Sequence, residues 1–497
     1  MLDDRATASR RLAEFAVPGV ILAMAAVARL WNLGAGVPHA VGIDEPQVVD
    51  RALRILRTGD WNPHLFDYPT LVIYFNALVA IVRFMWGALK GEWGSLDAFS
   101  IAAVYMTGRV AAALIGVATV WLTYCLGREL SSRRVALLAA AQMAVRPIHV
   151  RESRFILTDV PMAALTTLTV WLAVRAGRLG TVRAYGWAGI ACGLAAAAKY
   201  NGGIAIVAPI AAWLVHERVS PDRFRKLGAI VGGAALAFLA GAPYTVLDMP
   251  AFLDGFAAQF SRFAAPLNGA DPAWLLYIKH LSLAGSYWVP IAAAGMAILI
   301  WRGSARVRWA PVILFTAVYF YMLSSHSHVF GRYAVPLLPM LCLFSSVAVM
   351  EVLRGLDRIP ALARPVPRRL FVAAVWVALL FGPIRGTVRW LDLQKRADTR
   401  QLAADWLKTS TPKGTRIAVE NSGPTYLSDA GFKVAGTERL IDHSADWYRQ
   451  RADYLVISTF DLTKYGAYVN AGPTVFQIRP TLQRFGPPIQ IVRIKGS

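Results

Sequence analysis

Apolar runs of about 20 residues recur along the chain from Leu12 to Pro383, separated by short polar stretches. A helix needs that length to cross a bilayer. Candidate spans cover 12–31, 101–125, 133–149, 158–175, 184–199, 200–216, 226–245, 281–301, 309–325, 332–353 and 369–386, and a further run covers 69–89. Beyond about 390 the runs shorten and charge rises. There Asp398–Leu407 reads as an amphipathic helix, with Leu402, Ala403, Trp406 and Leu407 on one side. Arg416–Glu420, Tyr454–Ser458 and Ile489–Ile494 read as strands, bounded by turn signals at Pro412-Lys413-Gly414 and Gly486-Pro487-Pro488. The pattern predicts a mainly α polytopic membrane protein with about 11–13 transmembrane helices and a small C-terminal α/β extracytoplasmic domain. The division expected is 1–389 for the membrane part, with an outer loop at 32–68, and 390–497 for the soluble domain.

Composition agrees. Of 497 residues, 56% are hydrophobic and only 16% charged, too few charges for a soluble chain of this size. The 16 Trp and 17 Tyr suit interfacial belts. A net charge of +22 would raise the question of nucleic acid in a soluble protein. Here the cations sit in short loops between apolar runs, so the positive-inside rule and attraction to membrane lipids account for them, and no nucleic-acid partner is expected.

Those loops also set the topology. If 69–89 does not cross, Arg128/Arg133/Arg134, Arg175/Arg178/Arg183, Arg218/Arg223/Arg225/Lys226, Arg302/Arg306/Arg308 and Arg354/Arg358/Arg364/Arg368/Arg369 all lie inside. That gives about eleven crossings, with 69–89 re-entrant or near the outer face; a crossing hidden near 90–100 would serve equally. Cys125, Cys192 and Cys342 fall in apolar runs without metal spacing. The first apolar run follows Arg5, Arg10 and Arg11 with no small-residue cleavage site, so it reads as a retained helix. Gly189-x3-Gly193 and Gly228-x3-Gly232 read as small-residue packing faces.

Polar residues at the outer face are the candidate chemistry. Asp44-Glu45-Pro46 follows the first span, and a carboxylate at a membrane face is costly unless used. Asp44 could take a proton from an incoming hydroxyl, or bind a divalent ion; solvated loop acids are the plainer alternative. Arg146-Pro147-Ile148-His149-Val150-Arg151-Glu152-Ser153-Arg154 breaks the positive-inside bias, and the forked Arg guanidinium suits phosphate. Asp159 opens the next helix, where capping is the plainer role. Lys199-Tyr200-Asn201-Gly202-Gly203 joins two short apolar helices, where Lys199 could merely snorkel. His326-Ser327-His328 precedes Arg332-Tyr333. The pair at i, i+2 is not a helical metal pair, though one metal ligand there is an option. Carboxylates and cations on one face suit glycosyl transfer from a lipid phosphate. A base activates the acceptor hydroxyl, and cations stabilise the leaving phosphate.

These residues resemble the C-type-fold membrane glycosyltransferases, closest to the protein O-mannosyltransferase and aminoarabinose (lipid A) transferase group. Asp44-Glu45-Pro46, Leu56-x-x-Gly59-Asp60-Trp61-x-Pro63-His64 and Tyr68-Pro69-x4-Tyr74 look like that group's first outer loop. Leu126-Gly127-Arg128-Glu129-Leu130 looks like its basic inner turn, and Pro147-x-His149 with Arg154 and Asp159 like its second acidic site. Lys199-Tyr200-Asn201-Gly202 and Arg332-Tyr333-x-x-Pro336-x-x-Pro339 fit its later points. The resemblance implies an inverting transfer of a sugar from a polyprenyl phosphate to a lipid, glycan or protein hydroxyl, at the outer face of a bacterial inner membrane. It implies Asp44 as base and Asp159 as a second acid. Aminoarabinose transferases carry a Lys before the Pro that ends the first loop, whereas this chain has Asp67-Tyr68. Arg151, Arg154, Lys199 and Arg332 are therefore the candidates for the donor phosphate. Glu45, His64, Tyr68, Glu152, Tyr200 and Tyr333 are candidates for substrate contact. No cofactor is required by the sequence; a divalent metal would draw on Asp44, Glu45, Asp67, His326 and His328. A transporter or flippase of lipid-linked sugars is the rival, but it would favour broken helices near mid-membrane over polar residues at one face. A lipid-group transferase with a Ser or Thr nucleophile would need a metal-rich soluble domain that the tail does not suggest.

Overall fold

A computed structural model of the chain describes residues 2–264, 271–283, 285, 287–325, 328–356 and 365–494. Among them, seven helices are long and apolar enough to cross a membrane: Leu71–Leu89, Ile101–Leu130, Asp159–Leu179, Arg223–Gly241, Gly303–Ser324, Gly331–Gly355 and Arg369–Leu393. Phe15–Leu30, Tyr200–His216 and Trp288–Trp301 are shorter apolar helices. With Arg133–Val145 and Val182–Ala198, every span expected from the sequence has a helix. The chain divides into two compact units, one of residues 1–31, 51–82 and 108–388, the other of 32–50, 83–107 and 389–497. The second unit thus joins the tail to two earlier segments that a cut at 389 leaves in the membrane part.

The breaks in the first unit have local causes. The helix from Arg133 stops at Val145 because Arg146 precedes Pro147, and a residue before proline is driven out of the helical region; Arg146 is extended (φ −66°, ψ 118°) and Pro147 starts a new short helix, Pro147–Glu152. The helix Val182–Ala198 ends at an extended Lys199 (φ −159°, ψ 133°), and a 3-10 turn, Tyr200–Ile206, follows. Gly202 lets that turn fold against the helix, since a Cβ there would lie 2.2 Å from the Ala195 carbonyl oxygen. Gly189 and Gly193 face Arg223–Gly241 as expected, with added Cβ atoms 2.3 and 2.1 Å from the carbonyl oxygens of Ile230 and Ala234. Gly228 and Gly232 do not share that role: nothing lies within 4 Å of a Cβ at either. The packing face of that helix runs instead through Ile230, Gly233, Ala234 and Ala237, which pack on Gly186, Gly189, Ile190 and Gly193.

Pairing between loops follows the charge pattern. Arg178 reaches Glu129 at 2.8 Å, Glu217 accepts from Tyr185 at 3.2 Å and pairs with Lys226, and Arg302 meets Glu351 at 2.7 Å. Each joins segments placed inside by the positive-inside rule. Residues 71–89 form one unbroken helix of 19 residues, long enough and apolar enough to cross a membrane. No helix occurs within 90–100, so no crossing is hidden there. Residues 83–107 belong to the same unit as the tail.

In the second unit the tail forms a five-stranded sheet. The strands are β1 (Arg416–Glu420), β2 (Lys433–Thr437), β3 (Tyr454–Ile457), β4 (Thr474–Ile478) and β5 (Ile489–Arg493), in the order β2-β1-β3-β5-β4. β1 is parallel to β2 and β3, while β5 is antiparallel to β3 and β4. Ile417, Val419 and Val456 meet the helix Thr399–Ser410 through Ala403 and Leu407, and Ala418 and Leu455 meet Leu440 and Tyr448 on the other face. Burial on both faces is why β1 and β3 read as apolar runs. β2 and β4 lie at the edges with mostly exposed side chains, and so left no apolar signal.

Candidate functional site

In the first unit, three chain breaks converge. Asp159 is the first residue of the helix Asp159–Leu179, Lys199 ends the helix Val182–Ala198, and Arg332 lies in the 3-10 turn Gly331–Leu337. Lys199 Nζ lies 2.7 Å from Asp159 Oδ1, and Arg332 Nε lies 3.9 Å from Oδ2. The Asp159 side chain is 3% exposed, that of Lys199 12%. One carboxylate is held between two cations at a helix N-terminus, a setting that suits an anion, with Asp67 and Glu152 as further carboxylates nearby.

Aromatic residues surround this triad. Lys199 Nζ is 4.4 Å from the centre of the Tyr333 ring and 5.9 Å from that of Tyr68. The Tyr319 hydroxyl donates to the Tyr333 carbonyl (3.3 Å) and accepts from Asn201 (3.1 Å). Tyr200 donates to the Phe66 carbonyl (3.0 Å) and packs edge-on against Phe256. A cavity opens here, lined by Asp67, Tyr68, Lys199, Tyr200, Tyr277 and Tyr333, with Phe256, Met322 and Leu323 forming its apolar wall. Burial pushes the hydroxyl of Tyr277 well above the usual phenol range, so it remains a protonated donor. Tyr277 and Phe256 escaped the sequence reading because 246–280 reads as loop, whereas it holds the helices Met249–Ala264 and Ala273–Ser282.

Of the other expected residues, Glu152 is near enough to interact electrostatically with Asp159 and Arg332, while the rest have other partners. Arg154 donates to the carbonyls of Ala28, Arg29 and Trp31 at the end of the first helix. Arg29 does the same for Met143 and Ala144, and it also donates to the Ala25 carbonyl (3.1 Å) and to His149 Nδ1 (2.8 Å). Arg154 thus serves a helix C-terminus, which favours a positive partner, whereas Arg146 lies over the Trp288 ring at 3.5 Å. Arg151 pairs with Glu152 at 2.6 Å, and burial raises the Glu152 carboxyl above the usual carboxylate range. His64 is exposed and lies 2.9 Å from Asp60, which it holds below its usual range. His328 is exposed, and His326 lies outside the described residues. Among the described residues no three His, Cys, Asp or Glu side chains gather for a metal ion.

Asp44 and Glu45 belong to the second unit. Glu45 begins the helix Glu45–Thr58, is fully buried and accepts from the Gly42 N–H at 2.7 Å. Asp44 is half-buried, next to the exposed Ile43.

Fold and site define a class: a multi-pass membrane protein of the C-type glycosyltransferase fold. Residues 99–246 match the family model described as dolichyl-phosphate-mannose-protein mannosyltransferase. The chain superposes on the structure of ArnT from Cupriavidus metallidurans bound to undecaprenyl phosphate, with 16% identity over 96% of this chain and 98% of that one, at a TM-score of 0.63. It is also similar to the archaeal oligosaccharyltransferase AglB from Archaeoglobus fulgidus in complex with an inhibitory peptide and a dolichol-phosphate. That match has 14% identity over 90% of this chain and 70% of that one, at a TM-score of 0.60. No curated protein sequence matches the chain. The fold resemblance read from the sequence is borne out.

Proposed function

We propose that this protein is a glycosyltransferase that moves a sugar from a polyprenyl-phosphate donor to an acceptor hydroxyl, at the face opposite its basic loops. The bacterial inner membrane, with the site facing outward, is the setting this reading implies. The observation that carries it is Asp159 buried between Lys199 and Arg332 beside an aromatic cavity. A polyprenyl-phosphate sugar is a phosphodiester with one negative charge. When the bond from the anomeric carbon to the phosphate oxygen breaks, the electron pair stays on that oxygen and the phosphate gains a second charge. Lys199 and Arg332 would meet that charge as it grows, held in place by Asp159. Asp44 would take the proton of the acceptor hydroxyl as its oxygen attacks the anomeric carbon, in one inverting step without a sugar–enzyme bond.

The test is a panel of polyprenyl-phosphate sugars incubated with purified protein and an acceptor mixture, with products read by mass spectrometry. Glycosylated acceptor and free polyprenyl phosphate are expected. Asp44→Asn should lower the rate by about 10²–10⁴-fold, the usual range for a general base. Turnover at the wild-type rate in that variant removes Asp44 as the base, and no product from any donor removes the transferase reading.

A further inference from the structure

The segment carrying Asp44 has no regular structure of its own until Glu45. Within the second unit it is fastened to the tail on both sides of Asp44. Before it, the Thr425 N–H donates to the His39 carbonyl (3.0 Å), its hydroxyl donates to the Pro38 carbonyl (2.6 Å), and His39 Nδ1 lies 2.7 Å from the Thr425 carbonyl oxygen. Arg400 donates to the Val41 carbonyl at 2.8 Å and is itself held by Asp398, the N-cap of its helix, at 3.0 Å. After it, the Tyr426 hydroxyl donates to Asp50 Oδ1 (2.7 Å). Since that proton is committed, the Tyr105 hydroxyl donates to Tyr426 across 2.8 Å, and the two rings meet edge to face. Tyr426 adopts φ +51°, a left-handed conformation rare for a bulky residue. Such a conformation persists where the surroundings over-determine it. Thr425 and Tyr426 follow β1 after four residues, and the next residue, Leu427, is buried in the same cluster as Ile417 and Val419 of that strand.

We propose that the tail is the positioning domain of the acidic loop: Arg400, Thr425 and Tyr426 hold residues 38–50 so that Asp44 stands in one place. None of the three touches the reacting atoms; they are positioning residues. The inference rests on Asp44 being the base, because a base acts only within hydrogen-bond reach of its proton. A loop free to move by an ångström would lose much of that advantage.

The test uses the full-length purified protein and reads two quantities in Tyr426→Phe, Arg400→Ala and Arg400→Lys. Amide exchange across 38–50 should rise about tenfold in Tyr426→Phe and Arg400→Ala, the equilibrium worth of one hydrogen bond. Over the same variants kcat should fall about tenfold with donor KM within twofold of wild type, and Arg400→Lys should recover part of both. Tyr426→Phe keeps the ring and its packing, so it stands if Arg400→Ala fails to fold. Unchanged exchange in Tyr426→Phe overturns the clamp. Raised exchange with wild-type kcat overturns its role in the reaction. Wild-type turnover in Asp44→Asn, with exchange still raised in the tail variants, overturns the base reading and this inference with it, and the two failures are told apart by the exchange result.

Discussion

The Lys199 ammonium lies 2.7 Å from the Asp159 carboxylate, with both side chains largely out of water. Neither charge would be stable alone at that depth. Removing one partner should therefore cost more than the pair contributes. Asp159→Asn is expected to destabilise the protein by about 3–5 kcal/mol, and Asp159→Asn with Lys199→Met to recover part of that loss without restoring donor binding. Thermal unfolding in detergent and binding of a polyprenyl phosphate check the two halves separately. A double variant no more stable than Asp159→Asn would show that the pair does not set the cost.

Arg154 and Arg332 look alike in sequence, each a cation at an outer helix end, but the structure separates them. Arg154 serves three carbonyls at the end of the first helix, whereas Arg332 sits beside Asp159. Arg154→Ala should lower stability by about 2 kcal/mol or more, since buried carbonyls lose charged donors, and leave donor affinity unchanged. Arg332→Ala should do the reverse, weakening donor binding about tenfold or more with a small change in melting temperature. Equal effects of the two on donor affinity would place Arg154 at the phosphate after all.

This pair shows where the sequence stops being legible. The membrane helices were legible because each carries an unbroken apolar run of the right length. Asp159, Lys199 and Arg332 stood out because charges at helix ends on the wrong face need a reason. What the sequence could not show is which carbonyls end near which guanidinium, because that depends on contacts over more than 100 residues, as between Arg29 and Ala144. The aromatic wall was hidden in the same way: Tyr277 and Phe256 lie in short helices within a segment that reads as loop. Thr425 and Tyr426 belong to no motif, and only the sheet beneath them and the contacts with His39 and Asp50 give them meaning.

His39 gives the second unit a pH response. It is buried against the Thr425 carbonyl, and burial lowers its pKa below the ordinary 6.5. The nearby Lys408 adds to the shift, while the hydrogen bond to Thr425, Asp405 and Asp429 oppose it. Above about pH 6.5 neither folded nor unfolded chain binds the proton. As the pH falls below that, the unfolded chain takes it up first, so stability is lost until the folded pKa is reached. The slope is at most about 1.4 kcal/mol per pH unit. Amide protection across 38–50, corrected for the intrinsic pH dependence of exchange, should therefore fall between pH 7.5 and 5.5 in the wild type and change less in His39→Gln. The same acid response in both would assign it to other groups.

The two glycine pairs make opposite predictions. A Cβ at Gly193 would lie 2.1 Å from the Ala234 carbonyl oxygen, and backbone of a packed helix cannot move aside without separating Val182–Ala198 from Arg223–Gly241. That separation would also shift Lys199, which ends the first of those helices. Gly193→Val should therefore cost about 1–3 kcal/mol or more through overpacking and reduce donor binding with it. A Cβ at Gly232 meets nothing within 4 Å, so Gly232→Val should leave both unchanged, or gain slightly because valine in a helix restricts the unfolded chain more than glycine does. Melting temperatures in detergent together with donor binding distinguish the two. If Gly232→Val proved as damaging as Gly193→Val, the helices would have to meet through Gly228 and Gly232, and the placement of Lys199 against Asp159 would need a different scaffold.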